Sequence, residues 1–214
     1  MMSHFDVSES QGKIVDLDWC AKFFEKRGQE MYGPNFRIIP EDHEIIYRLV
    51  VYFLGHEKEA KRLNLDLRKG IMLTGPIGCG KTSLMSLMRL VPAKERNFTI
   101  KTARDISFEF LQEGYDVINR YSKLSFTGSG PRIYCFDDLG AEQNLKYYGN
   151  SCNVMGEILM SRYELFNSQG MVSYLTTNLG AADIENLYGT RVRSRMREMF
   201  NLISYRPETT DKRT

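Results

Sequence analysis

A charge excess of either sign is missing from this sequence: 29 Lys+Arg stand against 27 Asp+Glu in 214 residues, a formal net charge of +2. That balance does not force nucleic-acid binding and says nothing of partners; any basic surface must come from local clustering. Cysteines are few. Cys20, Cys79, Cys135 and Cys152 form no C-x-x-C pair and lie too far apart in sequence to suggest a zinc site or a disulfide framework, which makes a reduced, cytoplasmic compartment the expectation. No apolar run reaches the roughly 18 residues that cross a bilayer. Met1–Gln11 is polar and acidic instead of basic-then-apolar, so neither membrane insertion nor export is expected. Internal repeats and low-complexity tracts are also missing.

What is present suffices for one globular core, with 42% hydrophobic and 26% charged residues. Leu17, Cys20, Phe23 and Phe24 recur at helical spacing and predict a helix from Leu17 to Arg27, ahead of a Gly33-Pro34 break. Pro40 and the acidic pair Glu41-Asp42 suit a helix first turn. Ile45, Ile46, Leu49, Val50 and Phe53 continue it at amphipathic spacing, predicting one helix from about Glu41 to Arg62. Segments 70–74, 97–102, 132–136 and 171–176 read as strands, whereas 81–90, two stretches of 105–124 around Gly114, and 154–166 read as helices. Strands alternating with helices predict an α/β fold with a central parallel sheet covered on both faces.

Gly75-Pro76-Ile77-Gly78-Cys79-Gly80-Lys81-Thr82 matches G-x-x-x-x-G-K-[ST], between an apolar strand and a helix that continues with Ser83. Glycines let successive N–H groups turn inward around phosphate oxygens, and the helix N-terminus adds its positive dipole end. In such a loop Lys81 supplies a point charge to the β/γ-phosphates and Thr82 a hydroxyl to Mg²⁺. Cys79 reads as a space filler. Ile133-Tyr-Cys-Phe-Asp137-Asp138 is the matching half, an apolar strand that delivers a carboxylate to its C-terminal end. Asp137 is the expected Mg²⁺ carboxylate. Asp138 stands where many such ATPases carry a glutamate that polarises the attacking water; being one methylene shorter, it predicts slow hydrolysis. Thr176-Thr-Asn178 ends the fourth strand, and Asn178 reads either as a turn asparagine or as a polar amide directed at the γ-phosphate. There is no Asn/Thr-Lys-x-Asp tetrad for reading guanine, which weighs against a GTPase.

Taken with Phe136-Asp-Asp-Leu-Gly140, Leu175-Thr-Thr-Asn-Leu179 and Tyr188-Gly-Thr-Arg-Val-Arg-Ser-Arg-Met196, these motifs resemble the AAA+ ATPases of the DnaC/IstB group, the bacterial helicase loaders and transposon helper ATPases. The similarity covers about Asn35 to Tyr205. It implies an AAA+ type P-loop fold, a three-layer sandwich, with residues 1–34 as an N-terminal helix and linker, 35–205 as the ATPase core and 206–214 as a tail. Only nine residues follow Tyr205, so little or no C-terminal helical lid is expected. The resemblance implies Mg-ATP as cofactor and ATP hydrolysis as the reaction. The implied partners are further copies of the chain in an ATP-dependent homo-oligomer, single-stranded DNA, and a replicative helicase or transposase. Asn178 takes the place of sensor 1 in that pattern. Arg195 takes the place of the arginine that reaches a neighbouring subunit's γ-phosphate, with Arg191 on its own helix face and Arg193 and Arg197 roughly opposite. The kinked stretch 104–123 corresponds to a DNA-facing insertion, for which Arg120, Tyr121 and Lys123 offer charge and a stacking surface; Lys146, Tyr147 and Tyr148 form a similar cluster. A nucleotide-gated adaptor with negligible turnover is the alternative function. A small-molecule kinase would leave the arginine run unexplained.

Overall fold

The computed structural model describes residues 15–91, 94–128, 130–142, 145–147 and 150–212. The polar N-terminus and Tyr148 therefore lie outside the described residues, as do the side chains of Lys146 and Tyr147. The chain forms two compact units. One draws on Met1–Leu67, Pro76–Asn97 and Ile203–Thr214, the other on Arg68–Gly75 and Phe98–Leu202.

In the first unit, α1 (Leu17–Tyr32) starts at Asp16, whose carboxylate accepts from the Trp19 amide at 3.0 Å, and runs one turn past the expected Arg27. The single helix expected from Glu41 to Arg62 is broken. Pro40–Asp42 is a 3-10 turn, α2 covers His43–Leu54 and α3 covers Glu57–Arg62. The break has a local cause. Gly55, at φ 69°, closes α2 in the left-handed region, and His56 reopens the chain as an N-cap whose Nδ1 accepts from the Glu59 amide at 3.2 Å. With α4 (Lys81–Met88), α1 and α2 bury Phe24, Ile46, Leu49, Val50 and Met85.

The second unit is built on β1 (Gly70–Thr74), β2 (Thr99–Thr102), α5 (Ala103–Glu113), α6 (Asp116–Tyr121), a short antiparallel pair β3 (Phe126–Thr127) and β4 (Gly130–Pro131), and β5 (Tyr134–Leu139). A second antiparallel pair follows, β6 (Leu145–Tyr147) and β7 (Asn150–Cys152). Then come α7 (Val154–Gln169), β8 (Ser173–Thr177), α8 (Ala181–Met199) and β9 (Phe200–Ser204), the last of which belongs to this unit as far as Leu202. The central sheet has the order β2-β5-β8-β1-β9, with β2–β5, β5–β8 and β8–β1 all parallel. This is the expected α/β architecture. On one face Met72, Tyr134, Phe136, Leu175 and Phe200 pack with α5 to α8; the alternate residues Ile71, Leu73, Cys135 and Tyr174 are buried as well, so both faces are covered. β9 is the strand for which the sequence reading offered no element.

Arg162 of α7 is fully buried in this unit. It donates to the Ser173 hydroxyl (2.6 Å) and to the carbonyls of Tyr121 (2.8 Å), Val172 (2.9 Å) and Arg132 (3.1 Å), and lies against the rings of Tyr134 and Phe136. Burial pulls its pKa down to about 9, still above neutrality, so the guanidinium remains a charged clamp on the ends of β5 and β8.

Candidate nucleotide site

The carboxyl edge of the sheet is where the second unit gathers its polar side chains. Phe136 pairs with Leu175 but Leu139 pairs with Thr177, so β5 spends one more residue than β8 over this stretch. That extra residue makes a bulge at Asp137 and Asp138. Asp138 takes φ 56°, an uncommon left-handed conformation that aspartate tolerates better than most residues. Asp137 is 5% exposed and accepts a 2.6 Å hydrogen bond from the Thr176 hydroxyl, whose oxygen in turn accepts from the Asp138 amide at 2.9 Å. One hydroxyl on β8 therefore fixes both residues: it holds the Asp137 carboxylate inward and turns the Asp138 side chain out to solvent. Next door, the Thr177 hydroxyl donates to the Leu139 carbonyl at 2.6 Å and accepts from the Leu179 amide at 3.1 Å, leaving Asn178 exposed just past the strand end.

Thr74 pairs with Thr177, so Gly75 leaves β1 at this same edge. Asp137, Asp138, Asn178 and Gly75 are thus brought together within the second unit. From Pro76 the loop belongs to the first unit. There Gly78 (φ 78°) and Gly80 (φ 98°) adopt backbone conformations that other residues rarely take, and Gly80 is the N-cap of α4. Lys81 crosses the loop to donate to the Pro76 carbonyl at 2.8 Å. Cys79 is fully buried beside it as a space filler, while Ile77 and Thr82 are exposed and Ser83 half-buried. Left-handed glycines, a buried lysine and a helix start fit a polyphosphate anion. In the second unit the buried Asp137 carboxylate, and separately in the first unit the Thr82 hydroxyl at the start of α4, are each hard oxygen donors of the kind a divalent cation takes.

Arg195 lies elsewhere in the second unit, on α8. Its guanidinium sits 4.5 Å from the centre of the Tyr163 ring and donates to the Tyr163 hydroxyl and to Glu198, each at 3.0 Å. The Tyr163 hydroxyl and this guanidinium hold the Glu198 carboxyl below its ordinary pKa. Arg193 pairs instead with Glu185, while Arg191 and Arg197 are exposed. α8 is kinked at Gly189 (φ 88°). Just before that kink, the Tyr188 hydroxyl donates to Glu142, whose other oxygen accepts from the Gly140 amide at 2.8 Å. Thr176 and Tyr188 stand inside motifs quoted from the sequence, but neither was given a role there, and Glu142, four residues past the second aspartate, was not singled out.

The proposed stacking surface at 120–123 needs correction. Tyr121 is 2% exposed, its ring packs edge-on against Tyr134 at 5.2 Å, and its hydroxyl donates to Glu109. Burial and that carboxylate push its pKa upward. Arg120 is committed to Glu109 and Glu113. The helical spacing of 116–121 pointed equally well inward, and the ring went into the core.

The fold is therefore that of an AAA+ type P-loop NTPase, a central parallel sheet with flanking helices. Solved structures similar to it include the DnaC helicase loader, at 18% identity and TM-score 0.57 over 87% of this chain and 100% of that one. DnaI is similar at 21% identity and TM-score 0.52, over 79% of this chain and 87% of that one. Cdc6p from Pyrobaculum aerophilum follows at 13% identity and TM-score 0.51, over 86% of this chain and 50% of that one. No protein-family model and no curated protein matches the sequence. The DnaC-like AAA+ fold implied by the four motifs is the fold found.

Proposed function

We propose that this chain is a Mg-ATP-dependent AAA+ ATPase that self-associates and acts on a DNA-processing partner, in the manner of a helicase loader on single-stranded DNA in the cytoplasm. The observation that carries the reading is the bulged aspartate pair on the sheet edge from which Gly75 departs into the glycine loop. The backbone amides of Gly75 to Ser83, Pro76 excepted because it has no N–H, would hold the phosphates, Lys81 would neutralise them, and Thr82 with Asp137 would hold Mg²⁺. That ion supplies charge neutralisation and a template for in-line displacement. Asp138 is exposed and able to accept a proton from a water, and Asn178 offers an amide to orient it. Arg195 would serve a neighbouring copy, leaving Tyr163 and Glu198 to do so. On this reading residues 35–205 are the working ATPase core, 1–34 are its N-terminal appendage and 206–214 its tail.

ATP turnover by the purified protein, with and without single-stranded DNA, tests the reading. Lys81→Ala is expected to abolish nucleotide binding and turnover; a variant that still turns over at the wild-type rate would overturn the assignment. A second reading, a nucleotide-gated adaptor, is favoured by Asp138, whose short side chain stands on a left-handed backbone. It predicts ATP retained over hours without release of phosphate.

A further inference from the structure

The last described residues return to the phosphate-binding loop. The Lys212 amide donates to the Gly78 carbonyl at 3.1 Å, and the Lys212 side chain passes 3.8 Å from where a Cβ on Gly80 would stand. The Asp211 carboxylate lies against Gly78, in the space that a Cβ there would need. The Lys212 ammonium then ion-pairs with Asp42, which is 1% exposed. The fastening is built from several elements of the first unit. Asp42 also accepts from the Ile39 amide at 3.0 Å, and the Lys212 ammonium lies 5.4 Å from the centre of the Tyr205 ring. Tyr205 and Asp42 are both buried, so this anchor is part of the folded core and not a surface encounter. A turn, Thr209 amide to Arg206 carbonyl at 3.0 Å, brings the chain round to it.

A loop shaped for an anion thus carries an anion of the protein's own. We propose that the segment Arg206–Lys212 is an autoinhibitory strap: its Asp211 carboxylate holds the place of a nucleotide phosphate at Gly78, its Lys212 is fastened to Asp42, and a nucleoside triphosphate binds only by lifting it. The proposal rests on the nucleotide-binding reading above. A triphosphate and a carboxylate repel each other strongly at contact distance, so strap and nucleotide exclude one another. Nucleotide occupancy then frees the tail, which reports the state of the loop to whatever meets that face.

The test compares wild type with Asp211→Asn and with a chain ending at Arg206, using a fluorescent ATP analogue and, without nucleotide, hydrogen exchange at the loop amides. Both variants are expected to bind the analogue more tightly; a strap seated in roughly nine molecules of ten weakens apparent affinity about tenfold. Loop amides should exchange faster in both variants, and nucleotide should speed exchange in the wild-type tail. Asp211→Asn alters one exposed side chain, so it keeps the test open if the shortened chain does not fold. Equal affinity and equal loop exchange in all three chains would overturn the strap. If none of the three binds nucleotide, the function reading falls, and the strap stands or falls on loop exchange alone.

Discussion

Thr176 shows how one small side chain organises the candidate chemistry. Its hydroxyl donates to Asp137 and accepts from the Asp138 amide, so its removal leaves a buried carboxylate short of a donor and a bulge without its fastening. Thr176→Val is expected to cost about 1–3 kcal/mol of stability, the usual penalty for orphaning a buried polar group. It should lower ATP turnover while leaving analogue binding, which depends on the glycine loop, nearly unchanged. Urea unfolding and the ratio of turnover to affinity read the two effects separately; turnover at the wild-type rate would deny Thr176 its positioning role. Asp137 and Asp138 could be read from the sequence because an apolar strand ending in paired carboxylates is a pattern. Thr176 could not, since its role depends on pairing between strands far apart in the chain.

At the scale of elements, the corner between α2 and α3 stores a pH dependence. Glu59 is buried, accepts from the Tyr47 hydroxyl at 2.6 Å and pairs with Arg62. The Arg62 guanidinium holds its carboxyl below the ordinary value of 4.5, against the burial that pushes it up, and the Tyr47 hydroxyl helps. A carboxylate with a lowered folded-state pKa stabilises the fold above its unfolded value, and loses that contribution as pH falls through the folded one. Glu59→Gln should therefore lower the melting temperature at neutral pH, and the gap from wild type should close below 4.5. A gap independent of pH would show that packing, not charge, is what the variant removes. The apolar period of Ile45 to Phe53 disclosed α2, but one helix was expected through to Arg62, and the break at Gly55-His56 that sets α3 apart was not seen. The strands in 97–102 and 132–136 were found with shifted ends: β5 runs on through both aspartates because the bulge keeps it paired with β8.

For the whole molecule, the order of strands and helices was legible because each buried strand is a short apolar run between helix-forming segments. Partner-facing surfaces were not, since helical spacing alone does not say which side meets the core; Tyr121 is the case in point. If Arg195 serves a neighbouring copy, turnover per subunit should rise with protein concentration, and Arg195→Ala should abolish that rise while sparing nucleotide binding. An arginine supplied in trans accelerates phosphoryl transfer by about 10³–10⁵. Concentration-independent turnover in both proteins would confine the reaction to single chains. The division into units carries a consequence for biogenesis. The first unit takes in the chain from Ile203 onward, which the ribosome makes only after every residue of the second. The later stretch of chain thus completes the earlier fold. A nascent chain halted before Ile203 would lack the end of β9 as well as the strap, and Asp42 would still await its lysine.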